Sequence, residues 1–173
     1  MDVNSGHILP IQGLEVGVHQ FRYHFDSTFF DQFESNLVHG DFDILLTVEK
    51  QATMLDLKIQ FEGHEATACD RCLANIRIPV TGEARLILKF DDEPRIEGGI
   101  VFLPHGTPFF DAGPFIYESI AVALPLVKRF DCERLSPKPC NTDVLKHLNE
   151  TQNAAPSADV WAELKKLKNH GTS

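Results

Sequence analysis

The chain has 173 residues, 43% hydrophobic and 24% charged, which is an ordinary soluble globular composition and enough for one domain with or without a small appendage. A chain of this size buries roughly two thirds of the surface its unfolded form exposes, so it can hold a core without disulfides. With 16 Lys and Arg against 25 Asp and Glu the formal net charge is −9. That argues against sequence-independent coating of RNA or DNA, because phosphate affinity comes mainly from cationic side chains releasing counterions.

In chain order, residues 1–20 carry scattered hydrophobics around Pro10, Gly13 and Gly17 that suit an extended edge strand. The opening "MDVNSGHILPIQGL" has no basic region followed by an apolar run, so no signal peptide is expected. No stretch approaches the ~18 apolar residues of a membrane span. The expected location is cytoplasmic, where disulfides are disfavoured and paired cysteines more often mean metal or redox chemistry. "DSTFFDQFES" (26–35) predicts one short amphipathic helix, with Asp26 or Ser27 as N-cap and Phe29, Phe30 and Phe33 as its apolar side. Thirteen phenylalanines against one tryptophan and two tyrosines predict a dry aromatic core.

The middle of the chain reads as β. Phe42, Ile44, Leu46 and Val48 share one face of a strand; Leu55, Leu57, Ile59 and Phe61 share one face of the next. "ANIRIPV" and "ARLILKF" repeat the pattern as two further strands, through Ile76, Ile78 and Val80 and through Ala84, Leu86, Leu88 and Phe90. Strict alternation marks half-buried antiparallel strands, and the short links suggest a meander. "DDEPRIEGG" (91–99) reads as a polar loop, and "IVFLPHGTPFF" (100–110) as a short strand stopped by Pro104.

The period then changes. In "DAGPFIYESIAVALPL", Pro114 suits a first helical turn, Ile116, Ile120, Ala123 and Leu124 form a stripe, and Pro125 ends it. Residues 126–143 are expected to form a loop, and "TDVLKHLNE" a short helix. The domain reading is therefore a single α+β domain over 1–150, a linker at 151–158, and a C-terminal helix and tail over 159–173. The fold class is α+β: an antiparallel sheet, open or barrel-like, with one packed helix and a C-terminal helix.

Four cysteines fall into two groups, Cys69-x2-Cys72 and Cys132 with Cys140. A two-residue gap lets two thiolates reach one zinc ion from a tight turn, and structural zinc takes four ligands. A Cys69, Cys72, Cys132, Cys140 site would tie a hairpin turn to the loop after the buried helix and contribute to folding free energy. The spacing of the second pair is longer than usual, and Leu73 stands where a knuckle glycine is customary. His64, His147 and Asp131 are alternative donors. Two other readings stay open: buried inert thiols, and a redox pair at Cys69 and Cys72. The redox reading wants a strand-to-helix turn, whereas strands flank "CDRC" on both sides.

Three islands resemble the YceD-like family, the large ribosomal RNA subunit accumulation proteins. They are "CDRCL" (69–73), with Arg71 between the cysteines; "YESIAVALPLVKRFDC" (117–132), with Glu118, Ile120, Leu124 and Pro125; and "DVWAELKKLK" (159–168). Order and spacing fit over roughly residues 15 to 168. The chain departs from the family pattern at Phe130 and Asp131, where a histidine is frequent, and at "SADVW", where an aspartate-proline is frequent. The resemblance implies a non-enzymatic role in accumulation or processing of large-subunit (23S) ribosomal RNA, with that RNA or a ribosomal protein as partner, and supplies no mechanism.

The residues themselves agree with a non-enzyme. Asp91, Asp92 and Glu93 sit in a polar loop, the eight histidines lack the spacing of a helical metal motif, and there is neither a nucleophile elbow nor a phosphate-binding glycine loop. No small-molecule substrate and no membrane partner is expected. Basic residues gather at Lys128, Arg129, Arg134 and Lys138 and again at Lys165, Lys166 and Lys168. If zinc forms, Arg71 joins the first group and makes a local positive patch suited to phosphate contacts; the plain alternative is a solvated surface.

Overall fold

The structure, a computed structural model, describes residues 7–34, 37–129 and 139–153. Its centre is an open six-stranded sheet. Four strands form an antiparallel meander: β2 (Gly17–Phe25), β3 (Gly40–Lys50), β4 (Met54–Ala68) and β5 (Asn75–Asp91). A two-residue β1 (Ile8–Leu9) precedes them and pairs separately with β8 (Phe110–Asp111). The sheet does not close into a barrel: β2 is one edge and β6 (Arg95–Glu97) is the other.

β4 and β5 are single long strands of 15 and 17 residues. The expected break in "TGE" is absent. The reason lies in the alternation, which keeps one phase from Ile76 through Val80, Gly82 and Ala84 to Leu88, so one face stays inward along the whole strand. Phe61 covers the position where Gly82 has no side chain, which keeps the pairing filled. Beyond β5 the chain forms a small hairpin of β6 and β7 (Ile100–Pro104) instead of a plain loop. Gly98 (φ 59°) and Gly99 (φ 77°) are its two central residues, both in the left-handed region that a two-residue type I′ turn requires. β7 then lies parallel to β5.

The apolar stripes of β2 to β5 meet two helices. The first, α1, is shorter than expected and covers only Ser27–Phe30, capped by Asp26 Oδ1, which accepts from Thr28 N at 3.0 Å. The second, α2 (Gly113–Ala123), buries Ile116, Tyr117 and Ile120. It stops because Leu124 precedes Pro125 and is extended (ψ 135°). The aromatic core is as anticipated: Phe25 stacks on Phe29 at 3.9 Å between centroids, and Phe33 stacks on Tyr117 at 4.2 Å.

A third helix, α3 (Thr142–Asn153), is preceded by Asn141, whose Oδ1 accepts from Val144 N at 3.3 Å. It continues through the first residues expected to be linker. The rest of that linker and the C-terminal helix lie outside the described residues.

Among the described residues the buried hydrophobic side chains fall into two clusters. The larger joins α1, α2 and the body of the sheet; the smaller holds Cys69, Cys72, Ile76 and Ile78 at the far end of the β4–β5 hairpin. Among the described residues no helix is long and apolar enough to cross a membrane.

Candidate functional site at the cysteine turn

The turn between β4 and β5 is "CDRCLA". Cys69 N donates to Ala74 O at 2.8 Å, and Leu73 N donates to Cys69 O at 2.9 Å. This closes a loop in which Cys69 and Cys72 point inward, 2% and 1% exposed, while Asp70 and Arg71 stay outside. Leu73 carries φ 59°, the one positive φ on a non-glycine residue among those described. A leucine in that region costs about 1 kcal/mol and persists only where the surroundings impose it. It occupies the conformation a knuckle glycine would take.

The segment leaving α2, residues 124–129, runs along this turn. Lys128 N donates to Asp70 Oδ2 at 2.6 Å, and Asp70 N donates to Lys128 O at 2.8 Å. The Lys128 side chain turns inward instead of joining a surface patch. Its Nζ lies 3.5 Å from Oε1 of Glu65, a carboxylate with no exposed surface. Glu65 Oε2 accepts from His39 N at 2.8 Å, while Oε1 accepts no hydrogen bond among the described residues. A buried carboxylate is costly unless paired, so Lys128 is the counter-charge of this end of the molecule.

A third element closes the site. Cys140, just before α3, and Leu145, within it, pack against the Cys69–Cys72 cluster together with Ala74. Three of the four cysteines are thus brought together from two separate segments, the turn and the residues just before α3. Their chemical states differ: Cys69 and Cys72 are thiols, and Cys140 is in a disulfide. Among the described residues no group of three or more His, Cys, Asp or Glu is placed to hold a metal ion.

Of the expected basic residues, Arg71 and Arg129 are exposed beside the turn, and Lys128 is engaged with Glu65. Cys132, Arg134, Lys138, Lys165, Lys166 and Lys168 lie outside the described residues. Elsewhere, an open groove of about 640 Å³ on the outer sheet face is lined by charges of both signs, including Arg22, Asp43, Glu62 and Glu83. None of its lining residues belongs to the cysteine turn or to the segment clamped on it.

These segments are the ones shared with known proteins. A family model described as "Large ribosomal RNA subunit accumulation protein YceD" matches residues 57–168, well over half of the chain. The chain belongs to the YceD family. The matched stretch opens within β4 and takes in the cysteine turn, β5, α2, the clamped segment and α3. Its family description associates it with large-subunit ribosomal RNA. Comparison with curated proteins and with solved structures finds no match.

Sequence reasoning missed Glu65 and the inward role of Lys128. The signal for Glu65 was present: the alternation Leu55, Leu57, Ile59, Phe61 continues at Gly63 and places Glu65 on the inward face. No local signal identifies Lys128 as its partner, because the two are 63 positions apart in sequence (128 − 65).

Proposed function

We propose that this protein is a non-enzymatic cytoplasmic factor that supports accumulation of large-subunit (23S) ribosomal RNA by binding a component of the assembling subunit at the cysteine-turn end. Membership of the YceD family over residues 57–168 carries this reading, since the match takes in the cysteine turn, the clamped segment and α3. The favoured partner is a basic ribosomal protein, because a chain of net charge −9 attracts cationic surfaces and repels phosphate at long range. Direct contact with the RNA is the second reading. It is favoured by the exposed guanidinium groups of Arg71 and Arg129 beside the turn, which suit a few directed phosphate contacts.

The test is capture of the full chain on its partners at native salt, followed by identification of both RNA and protein, alongside 23S levels in a deletion strain. Recovery of a large-subunit protein after nuclease treatment supports the first partner. Crosslinks from the turn to 23S RNA, weakened in Arg71→Ala/Arg129→Ala, support the second. Normal 23S levels with neither partner recovered would sink the reading.

A further inference from the structure

We propose that β2 is the seam of a symmetric dimer. The β2 strand of a second copy of this chain pairs with it, antiparallel, about a two-fold axis at Phe21. This goes beyond the role in ribosomal RNA accumulation and does not depend on it.

The two edges of the six-stranded sheet are built differently. β6 is three residues long and carries Arg95 and Glu97, the kind of short, charged edge that discourages pairing. β2 runs nine residues in unbroken register on β3, with neither proline nor bulge. Among the described residues no strand pairs with its outer side. An edge of that length, with a row of outward N–H and C=O groups, is a template for another strand.

The side chains of β2 specify what that strand brings. On the inward face Phe21 stacks on Tyr23 at 6.4 Å and 5°, and Tyr23 on Phe25 at 5.7 Å and 6°. Phe21 and Tyr23 are only half-buried, whereas Gln20 and Arg22 on the other face are exposed. The matching strand therefore presents apolar groups inward and polar groups outward, which is the alternation of β2 itself. A two-fold axis perpendicular to the sheet keeps both inward faces on one side. The net charge of −9 opposes the approach of two copies. That opposition is weakest here, because β2 alone among the four meander strands contains no Asp or Glu.

The register follows from the same residues. With the axis at Phe21 all nine residues pair. Gly17 then faces Phe25, the small-to-large match that Gly82 and Phe61 already make between β4 and β5. A Cβ at Gly17 would meet nothing within 4 Å, so there is room for that ring. Gln20 faces Arg22 twice, once on each side of the axis. An axis at Arg22 would set that guanidinium against itself, and an axis at Gln20 would set Val18 against Arg22 and leave Phe25 unpaired. One nine-residue seam falls short of the ~1,200 Å² of a stable interface, so the dimer is weak, with a Kd of about 10–100 μM.

The experiment is analytical ultracentrifugation of the full chain, from well below to well above that Kd, under reductant so that no intermolecular disulfide contributes. The mass should rise with concentration from one chain to two. Gln20→Lys places like charges opposite each other twice and should weaken the dimer about fivefold or more; Gln20→Glu should tighten it by a similar factor. Gln20→Lys combined with Arg22→Glu should restore it. Both positions are exposed, so the variants are expected to fold. Amide exchange of the wild type gives a second measurement that needs no variant: protection should rise with concentration along residues 17–25. A chain that stays monomeric throughout overturns the proposal. So does a dimer that responds alike to Gln20→Lys and Gln20→Glu, or one whose added protection lies outside β2.

Discussion

Asp70 and Lys128 hold each other by two hydrogen bonds: the carboxylate of Asp70 receives Lys128 N at 2.6 Å, and Lys128 O receives Asp70 N at 2.8 Å. The pair fastens the chain leaving α2 to the middle of the cysteine turn. Asp70→Ala removes one of the two bonds and should cost about 1 kcal/mol in urea unfolding. Asp70→Asn keeps an acceptor oxygen and should cost less.

Lys128 and Arg129 are neighbours of like charge with opposite expected behaviour. Lys128→Ala leaves Glu65 buried without its counter-charge and should cost about 2 to 3 kcal/mol, at the low end for a buried pair because Lys128 keeps some exposure. Arg129→Ala alters an exposed side chain and should stay within about 0.5 kcal/mol. Glu65→Gln in the Lys128→Ala background should restore part of the loss. Equal effects of the two single substitutions would refute the pairing.

Leu73 is 67% exposed, so its side chain contributes little packing while its backbone is strained. Stability should follow the order Gly, Leu, Ile at this position. Leu73→Gly should be neutral or gain up to about 1 kcal/mol, and Leu73→Ile should lose about 1 kcal/mol, since β-branching is least tolerant of positive φ. Thermal denaturation of the three proteins checks the order.

Two strand glycines differ in what surrounds them. A Cβ at Gly63 would lie 2.1 Å from the backbone oxygen of Asp41, and one at Gly82 would lie 2.5 Å from the end of the Phe61 ring. Backbone cannot swing aside as a ring can. Gly63→Ala should therefore cost about 3 kcal/mol and Gly82→Ala less, with both measured by denaturant titration.

Asp56 has its carboxyl held below the ordinary range by hydrogen bonds from the Arg85 guanidinium. A depressed carboxyl contributes stability that is present above its unfolded pKa and lost as pH falls through the folded one. Asp56→Asn should therefore be less stable than wild type at neutral pH, and the two unfolding curves should converge in acid. A gap that widens on acidification would contradict the assignment.

Much of the fold was legible because period-two alternation is a local property. The inward faces of β3, β4 and β5, the aromatic core and α2 with its Pro125 stop all follow from neighbouring residues. What escaped was non-local or conformational. The parallel placement of β7 on β5 depends on how the β6–β7 hairpin folds back, and "DDEPRIEGG" reads as polar before its Gly98–Gly99 turn is recognised. The four-residue α1 is held by the burial of Phe29 and Phe30 more than by its own helical length. At the site, the cysteine spacing pointed to the turn, whereas the Glu65–Lys128 pairing could come only from three dimensions.

The division of buried residues into two clusters gives the molecule two levels of cooperativity. Among the described residues, the small cluster around Cys69, Cys72, Ile76 and Ile78 is held by the Glu65–Lys128 ion pair, the Asp70–Lys128 clamp and the start of α3, and it is expected to open more readily than the aromatic body. Amide exchange should be faster along residues 69–78 than along 55–61 of β4. A partner that binds at this end would then be read out as local folding of the hairpin tip, with the body of the sheet serving as the fixed anchor.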